Sequence, residues 1–423
     1  MTNIIFVEPD FPIHRKSKNH KDFMPIGLLK IATYMRDQGH KVKLLRGQPK
    51  NLNDIKELKS FKPKEVWVTS LFTYWARYVR DSVQYYRKLF PRAHIIVGGI
   101  YASLLPSNEV IEYTGCDEVH QGVIPEVEEY TKLHLPDYDL LGKVNSHPID
   151  FQIVHASRGC SRKCQFCGTW EIEPEFKPKE SIINEIKYPH IVFYDNNFLM
   201  NPFIENILNE IIGLKREGKV KWIESQSGLD GRVLVKKPYL ANMMKEAGLR
   251  YPRIAWDWGY GQSCYIAKQI EVLIKAGFDS REISIFMLYN HDISFEEMER
   301  KRISCWNWKT QIADCRYRPL NQIIDEYKPQ AKGQTSSDYF ISEKWSDALV
   351  KQFRRNVRRQ NICVRMRYPI YSYNAEQKRM GKDSLSLLRD LITLEEKKTY
   401  WEILGADPWL PEQITYPEGY NNN

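Results

Sequence analysis

Short apolar runs alternate with longer stretches of helical periodicity over the amino-terminal third of the chain. The apolar runs, together with one stretch of alternating charged and apolar residues, predict strands at residues 4–7, 41–45, 66–69 and 94–97. Between these runs, residues 25–36 and 78–90 repeat apolar positions at the spacing of an amphipathic helix. The alternation predicts a Rossmann-like, doubly wound parallel sheet with helices on both faces over residues 1–140.

The same strand–helix alternation resumes after a predicted connector at residues 140–150. Five further strands are predicted at residues 151–155, 191–194, 222–225, 253–256 and 283–288. We therefore expect a second α/β domain over residues 150–310, with polar side chains gathered where its parallel strands end. Residues 311–423 are rich in aromatic and basic residues, and we expect them to form a mostly helical carboxy-terminal extension.

Composition is that of a globular protein with two or three domains, since 42% of the 423 residues are hydrophobic and 27% are charged. No run approaches the roughly 18 apolar residues of a membrane span. The first ten residues read as a strand and not as a signal peptide. Eight cysteines in so long a chain do not predict a disulfide framework, so we expect a reducing, cytoplasmic setting without membrane contact.

The formal charge of +9 is spread along the chain except for one dense stretch at residues 351–359. At helical spacing its cations form one basic face, which is either a solvated surface or a site for an anionic or nucleic-acid partner. The cations of this stretch are Lys351, Arg354, Arg355, Arg358 and Arg359.

Candidate chemistry begins at three closely spaced cysteines, Cys160, Cys164 and Cys167. Thiolates at this spacing can bind three irons of a [4Fe–4S] cluster and leave the fourth iron open. A structural zinc site needs a fourth ligand, and His155 precedes a predicted turn instead of standing at finger-like spacing. The pattern favours the cluster over a zinc knuckle, and Trp170 is predicted either to shield the cluster or to belong to the core.

The cysteine spacing, with Phe166 before the last cysteine, resembles the radical S-adenosylmethionine (SAM) superfamily. The resemblance implies a partial (β/α)6 barrel at residues 150–310. It also implies that the open iron chelates SAM, whose C–S bond is cleaved reductively to a 5′-deoxyadenosyl radical. A reducing partner such as flavodoxin or ferredoxin follows from the same resemblance.

Several pieces of the first domain resemble the cobalamin-binding domain of one large branch of that superfamily. They are residues 24–29, 37–42 and 96–101, together with Ser70 and Thr73. The resemblance implies cobalamin across the carboxyl ends of the strands, its tail lined by Ser70, Thr73, Gly98 and Gly99, where glycine lets a ligand approach the backbone. Two departures are the missing Asp-x-His-x-x-Gly run and the reduction of Gly-Glu-Gly-Glu at residues 122–126. A scaffold domain without cobalamin is therefore the alternative.

Polar residues at the predicted strand ends are the candidate SAM contacts. The resemblance assigns the SAM amino group to the loop after the second strand, the ribose and carboxylate to the loop after the third, and adenine to the region after the fifth. The candidates are Asp195, Asn196, Gln226, Asp230, Arg232 and Tyr289. The alternative for each of them is a strand-end cap or a solvated loop residue.

Three further cysteines, Cys305, Cys315 and Cys363, match no compact ligand motif and are predicted to be buried thiols, with a second cluster as the alternative. Taken together, these patterns predict a radical SAM enzyme of the cobalamin type, a methyltransferase or a C–C bond-forming catalyst. Two alternatives stay open: a cobalamin-free radical SAM enzyme modifying a nucleotide, tRNA or peptide, and a nucleic-acid-binding protein with a structural or redox-sensing cluster.

Overall fold

The computed structural model describes residues 1–12, 24–49, 51–128, 150–368 and 409–420, with a few single positions between them. The chain divides into two compact units, Met1–Ile191 with Arg318–Glu326, and Val192–Tyr317 with Tyr327–Asn423. The connector predicted at residues 140–150 lies almost wholly outside the described residues. The domain boundaries drawn from the sequence stay predictions.

The first unit contains a five-stranded sheet in which every pair of neighbouring strands is parallel, in the order β2-β1-β3-β4-β5. Its strands are β1 (Asn3–Glu8), β2 (Lys41–Arg46), β3 (Glu65–Ser70), β4 (His94–Gly99) and β5 (Glu118–Val119). The chain builds outward from β1 in both directions, so the switch point of the sheet lies between β1 and β3. The predicted doubly wound sheet is confirmed, with β5 as a strand that the sequence pattern did not reveal.

Helices connect the strands of the first sheet. They are α1 (Ile26–Asp37), α2 (Leu52–Phe61), α3 (Ala76–Leu89), α4 (Ile100–Leu104), α5 (Ser107–Thr114) and α6 (Pro125–Glu128). Both faces of β1 are covered, because Ile4 and Phe6 on one face and Ile5 and Val7 on the other are inaccessible to solvent. Burial on both faces explains why β1 is a continuous apolar run.

The remainder of the first unit carries the cysteine loop. Strand β6 (Phe151–Val154) precedes it, and the short strand β7 (Ser157–Arg158) pairs antiparallel with β8 (Lys177–Pro178). The helical turn α7 (Thr169–Ile172) follows the last cysteine of the loop. Hence β7, β8 and α7 bracket the three cysteines within about twenty residues.

A late piece of the chain completes the first unit, and we call Arg318–Glu326 the return segment. Ile323 packs against the apolar core between α3 and the sheet. Glu326 forms an ion pair of 2.7 Å with Arg77 of α3, and the guanidinium of Arg318 lies 4.1 Å from the ring centroid of Tyr74. The first unit is therefore discontinuous in sequence.

The second unit contains a parallel sheet in the order β11-β12-β13, formed by β11 (Arg253–Ala255), β12 (Ser284–Tyr289) and β13 (Gln311–Arg316). The division between the units falls within β9 (His190–Phe193), and β10 (Trp222–Ser225) joins it where the Gln226 N–H donates to the Phe193 carbonyl at 3.0 Å. The five strands predicted for this domain are present, and β13 is a sixth that the sequence analysis placed in the extension. The closure of a (β/α)6 barrel stays a prediction.

Helices alternate with these strands, as the sequence predicted. They are α8 (Ile204–Arg216), α9 (Gly231–Lys236), α10 (Tyr239–Glu246), α11 (Ser263–Lys275), α12 (Phe295–Asn307) and α13 (Asp347–Met366). The longest, α13, lies in the predicted helical extension and buries Val350, Phe353 and Val357 along one face. Within the described ranges, no helix combines the length and the apolar character needed to cross a membrane.

Candidate functional site

The three cysteines of the candidate cluster site are partly exposed and share one short loop. Backbone hydrogen bonds shape this loop, because the Cys167 N–H donates to the Cys164 carbonyl at 3.0 Å and the Arg162 N–H donates to Cys160 Sγ at 3.4 Å. The indole N–H of Trp170 donates to the Cys164 carbonyl at 3.1 Å. Trp170 therefore supports the loop directly, beyond either role predicted for it.

The donor chemistry of this loop fits an iron–sulfur cluster, although its sulfurs are not gathered into a ready-made site. In the part of the chain that the structure describes, no three His, Cys, Asp or Glu side chains converge closely enough to hold a metal ion. Three accessible thiols and a backbone N–H directed at one sulfur are nonetheless the groups that hold and tune such clusters.

The residues just before Cys160 are fixed by a single carboxylate. Glu173 Oε2 accepts from the Gly159 N–H at 2.6 Å and from Arg158 Nε at 3.2 Å. Gly159 has a φ of +71°, and a Cβ there would lie 2.1 Å from the Glu175 carbonyl oxygen. Only glycine fits this position, so Glu173 and Gly159 together set the path of the chain into the cluster loop.

Buried charges connect the base of the cluster loop to the first sheet's helices. Lys30 of α1 pairs with Glu128 Oε2 at 3.1 Å, and Glu128 Oε1 pairs with Arg158 at 3.5 Å. Burial raises the pKa of Glu128, but Arg158 and Lys30 outweigh it and hold that pKa below its usual value. Burial, helped by Arg158 and Lys30, lowers the pKa of His155 well below its usual range, so this histidine is neutral at pH 7.

We expect Glu173→Gln to lower the iron content of the reconstituted protein at equal protein concentration. The change removes charge-assisted hydrogen bonds to Arg158 and Gly159, each worth roughly 1.5–3 kcal/mol. Iron and sulfide analysis after anaerobic reconstitution measures the effect. Glu175→Gln, which removes a carboxylate paired with the exposed Lys177, is the matched control. Equal iron loading in both variants would contradict this role of Glu173.

The residues predicted to line a cobalamin tail lie together at the carboxyl ends of β3 and β4. Ser70 Oγ donates to the Gly98 carbonyl at 2.7 Å and accepts from the Ala102 N–H at 3.2 Å, and Thr73 is buried two residues beyond Leu71. Gly99 has a φ of +97°, and a Cβ there would lie 2.2 Å from the Ser70 carbonyl oxygen. Glycine is therefore required at position 99 by the close approach of the neighbouring strand, and the predicted role of Gly99 beside a cobalamin tail stays a prediction.

Aromatic side chains cover the switch point of the first sheet. Phe72 and Tyr74 stack with centroids 5.0 Å apart and planes 6° apart, and Phe11, which follows β1, stacks on Trp75 at 5.2 Å. Phe72 is 38% exposed. We call Phe72–Trp75 the aromatic turn. It offers a flat apolar surface at the edge of the sheet where ligands of this fold class bind.

In the second unit, the polar residues after β9 differ sharply in exposure. Asp195 is buried and Asn196 is exposed. Asn197, which the sequence analysis did not select, is 6% exposed, and its Oδ1 has no hydrogen-bond partner among the described residues. A buried carbonyl oxygen without a donor is costly, so a ligand carrying N–H groups would satisfy it.

The predicted contacts after β10 are engaged in local pairs. The Gln226 amide donates to Glu224 at 3.0 Å, and Glu224 pairs with the buried Arg253 at 2.5 Å. Asp230 caps α9 and binds Arg232 through two hydrogen bonds of 2.7 and 2.9 Å. Asp230 and Arg232 thus balance each other's charge, and the neutral Gln226 is bonded to a carboxylate that Arg253 already pairs. Their roles as SAM contacts stay predictions.

Tyr289, the predicted neighbour of adenine, belongs to the core of the second unit. Its ring centroid lies 5.1 Å from that of Phe353 and 5.9 Å from that of Trp345. Burial raises the pKa of the Tyr289 hydroxyl, so it stays protonated. Tyr289 therefore has a packing role in the core, and its predicted place beside adenine stays a prediction.

A buried lysine and a carboxylate after β11 were missed by the sequence analysis. Lys301 of α12 donates to the carbonyls of Trp256 and Trp258 at 2.7 and 3.0 Å. Burial lowers the pKa of Lys301 to about 8, although Asp257 opposes the shift. Burial raises the pKa of Asp257 against the fields of Lys301 and Arg232. Asp257 directly follows a predicted strand, which is the signal that would have identified it.

Two of the three further cysteines are buried, as predicted. Cys305 and Cys363 are buried, and burial raises the pKa of Cys305 to about 12, whereas Cys315 is exposed.

The residues of the basic stretch do lie on one helix, α13, but Lys351 is buried and pairs with Asp347 at 2.6 Å. The exposed basic face is therefore smaller than the sequence implied, and its exposed cations are Arg354, Arg355 and Arg358.

Comparison with known proteins finds a similarity to one family within the amino-terminal part of the chain. Residues 17–129 match the B12 binding domain. The fold of the chain is similar to that of the cobalamin-dependent SAM radical enzyme OxsB. The match to OxsB with aqua-cobalamin and SAM bound covers 96% of this chain and 71% of the OxsB chain, with a TM-score of 0.54 at 12% identity. OxsB with aqua-cobalamin alone gives a TM-score of 0.50 at 14% identity, covering 73% of this chain and 52% of its own.

The protein is also similar to the uncharacterized methyltransferase PH0819 of Pyrococcus horikoshii, with 24% identity over 281 residues. The match covers 53% of this chain and 58% of the relative's length. The domain match agrees with the predicted cobalamin-binding-like first domain, and the fold agrees with the predicted succession of α/β domains. Membership of the radical SAM branch stays a prediction. The finding that bears on cobalamin binding is the domain match.

Proposed function

We propose that this protein is a cobalamin-dependent radical SAM enzyme that catalyses methyl transfer or C–C bond formation. The observation that carries the proposal is the coexistence, in one chain, of a B12-binding domain and the loop of Cys160, Cys164 and Cys167 on a fold shared with OxsB. When bound, a [4Fe–4S] cluster supplies the electron that cleaves SAM, and cobalamin supplies a methyl carrier.

The protein's own residues would perform distinct tasks around these groups. The cysteines would hold the cluster, with Glu173 and Gly159 fixing the entry to their loop. Asn197 would accept a hydrogen bond from the SAM amino group through its unpartnered oxygen, and the buried Asp195 beside it would add negative charge. Exposed Asn196 is better placed to contact solvent or substrate.

The aromatic turn fits the apolar face of a corrin ring, because it covers the carboxyl ends of β1 and β3 with a stacked and partly exposed surface. Ser70 and Gly99 hold the neighbouring strands in register below it, and Thr73 lies within the turn itself. The chain has no Asp-x-His-x-x-Gly run, so no histidine of that motif would hold a bound cobalamin. The basic face of α13 remains a proposed site for an anionic partner or substrate.

Anaerobic reconstitution tests the proposal. Protein supplied with iron, sulfide and hydroxocobalamin, then with dithionite and SAM, is expected to retain cobalamin and to release 5′-deoxyadenosine or S-adenosylhomocysteine. Chromatography of the products and the visible spectrum of the protein are the measurements. Release of neither product would reject the enzyme and favour a structural cluster. SAM cleavage without cobalamin retention would favour the scaffold alternative for the first domain.

A further inference from the structure

His120 stands at a position that no sequence motif singled out. It directly follows β5, the edge strand next to β4, and its N–H donates to the Val97 carbonyl at 2.9 Å. A Cβ built on Gly98 would lie 3.6 Å from the His120 carbonyl oxygen and 3.8 Å from its Cβ. The histidine is thus a direct neighbour of the glycine pair that the sequence associates with a cobalamin tail.

The imidazole of His120 has an unfilled hydrogen-bonding position. Its Nε2 is shielded from solvent and has no partner in the part of the chain that the structure describes. A buried polar atom left in this state has lost its hydrogen bonds to water without replacement, and such atoms are uncommon in native proteins. A ligand that brought a donor or acceptor into this place would replace those hydrogen bonds.

The backbone around His120 is tightly fixed. The Gln121 amide donates to the carbonyls of Ala102 and Leu105 at 3.2 and 2.7 Å, and the Gly122 N–H donates to Ser103 Oγ at 2.9 Å. Ser103 Oγ in turn donates to the Gly99 carbonyl at 2.8 Å. These bonds tie the segment after β5 to α4 and to Gly99, so His120 is held at the rim of the predicted tail pocket.

His120 lies away from the aromatic turn, so the two would contact different parts of a corrinoid. Because β5 is two strands from β3, and neighbouring strands lie about 4.8 Å apart, His120 is displaced by about 10 Å from the aromatic turn at the switch point. The flat apolar surface lies at the switch point and the polar, unpartnered nitrogen lies toward the edge. The aromatic turn at the switch point suits the corrin macrocycle. The region of His120 near the edge strand suits the ribose and phosphate of the tail, which form hydrogen bonds.

From this arrangement we infer that His120 binds the nucleotide tail of cobalamin through Nε2. The inference rests on the proposed cobalamin function of the first domain and names a residue for one part of that ligand. His120 is a binding residue for the tail and has no part in the chemistry at cobalt.

The test uses the full-length protein and two corrinoids, hydroxocobalamin and cobinamide, which lacks the nucleotide tail. His120→Phe keeps a ring of similar size without nitrogen, and His120→Gln places an amide near the position of Nε2. We expect His120→Phe to weaken hydroxocobalamin binding about tenfold, the ratio that corresponds to about 1.4 kcal/mol. Cobinamide affinity should be unchanged, and His120→Gln should recover most of the loss. Absorption titration gives all of these affinities.

The thermal midpoint of the ligand-free protein adds an independent readout. Because Nε2 has no partner there, His120→Phe should leave the midpoint unchanged or raise it, and a lowered midpoint would contradict the unpartnered state. Equal weakening of both corrinoids, or weakening of neither, would overturn the tail assignment while cobalamin binding by the wild type stands. A wild type that retains neither corrinoid would overturn the cobalamin proposal itself, and the inference with it.

Discussion

Simultaneous replacement of Cys160, Cys164 and Cys167 by alanine is expected to abolish both cluster assembly and SAM cleavage. The three thiols lie in one loop, and a cubane cluster has no comparable set of ligands elsewhere in the described residues. Iron and sulfide analysis should fall from about four irons per chain, the cubane stoichiometry, to background. Release of 5′-deoxyadenosine after addition of dithionite should fall with it.

A matched control separates the cluster ligands from cysteine loss in general. Cys264 and Cys315 are exposed, and none of the eight cysteines, all of which lie in the described residues, forms a disulfide bond. The double variant Cys264→Ala, Cys315→Ala should keep its iron and its SAM cleavage. About four irons retained by the triple variant would refute the ligand assignment, and iron lost from the control would point to a second site that includes Cys315.

Arg302→Met is expected to destabilise the second unit by about 3–5 kcal/mol, since breaking a buried ion pair leaves an uncompensated charge. Arg302 and Glu299 are both inaccessible to solvent and are joined by two hydrogen bonds of 2.8 Å. Arg302 also donates to Gln360 of α13 at 2.8 Å and to the carbonyls of Pro411 and Gln413 at 2.5 and 2.7 Å. The loss would therefore loosen α12, α13 and the segment after residue 409 together.

Urea unfolding followed by near-ultraviolet circular dichroism measures the effect of Arg302→Met. The double variant Glu299→Leu, Arg302→Met removes both charges and should unfold at a higher urea concentration than the single variant. Lys275→Met, at the exposed pair of Lys275 with Glu271, is the control and should change the midpoint little. A single variant as stable as this control would show that the buried pair is not needed.

The strands that the sequence predicted are those whose burial follows a regular pattern along the strand. Strand β1 is covered on both faces and reads as an unbroken apolar run, and β12 alternates buried and half-buried residues. Strand β13 was missed because Asp314 and Arg316 interrupt its apolar pattern. Arg316 is buried against the rings of Tyr327 and Tyr339, at 4.4 and 4.9 Å, and these tyrosines lie beyond the strand in sequence. Local pattern does not reveal partners of that kind.

The residues of the candidate site also differ in how far the sequence predicts them. The cysteine loop was predicted because all three candidate ligands lie within one short segment. The roles of Glu173, Asn197 and His120 depend on which atoms find a partner after folding, and no spacing encodes that. For Lys351 the sequence correctly predicted a place on a helix. It did not predict that the side chain is buried against Asp347 and the Ala331 carbonyl.

The return segment has a consequence for how the chain is made. Arg77 and its partner Glu326 are 249 positions apart, and Ile323 fills the same core from a similar distance along the chain. A ribosome therefore completes the first sheet long before it supplies the last residues that pack on it. Until residue 326 has emerged, the core residues that Ile323 contacts lack that contact, and contacts of such long sequence separation form slowly. We expect the first 191 residues, expressed alone, to require a chaperone or a co-expressed return segment to remain dispersed.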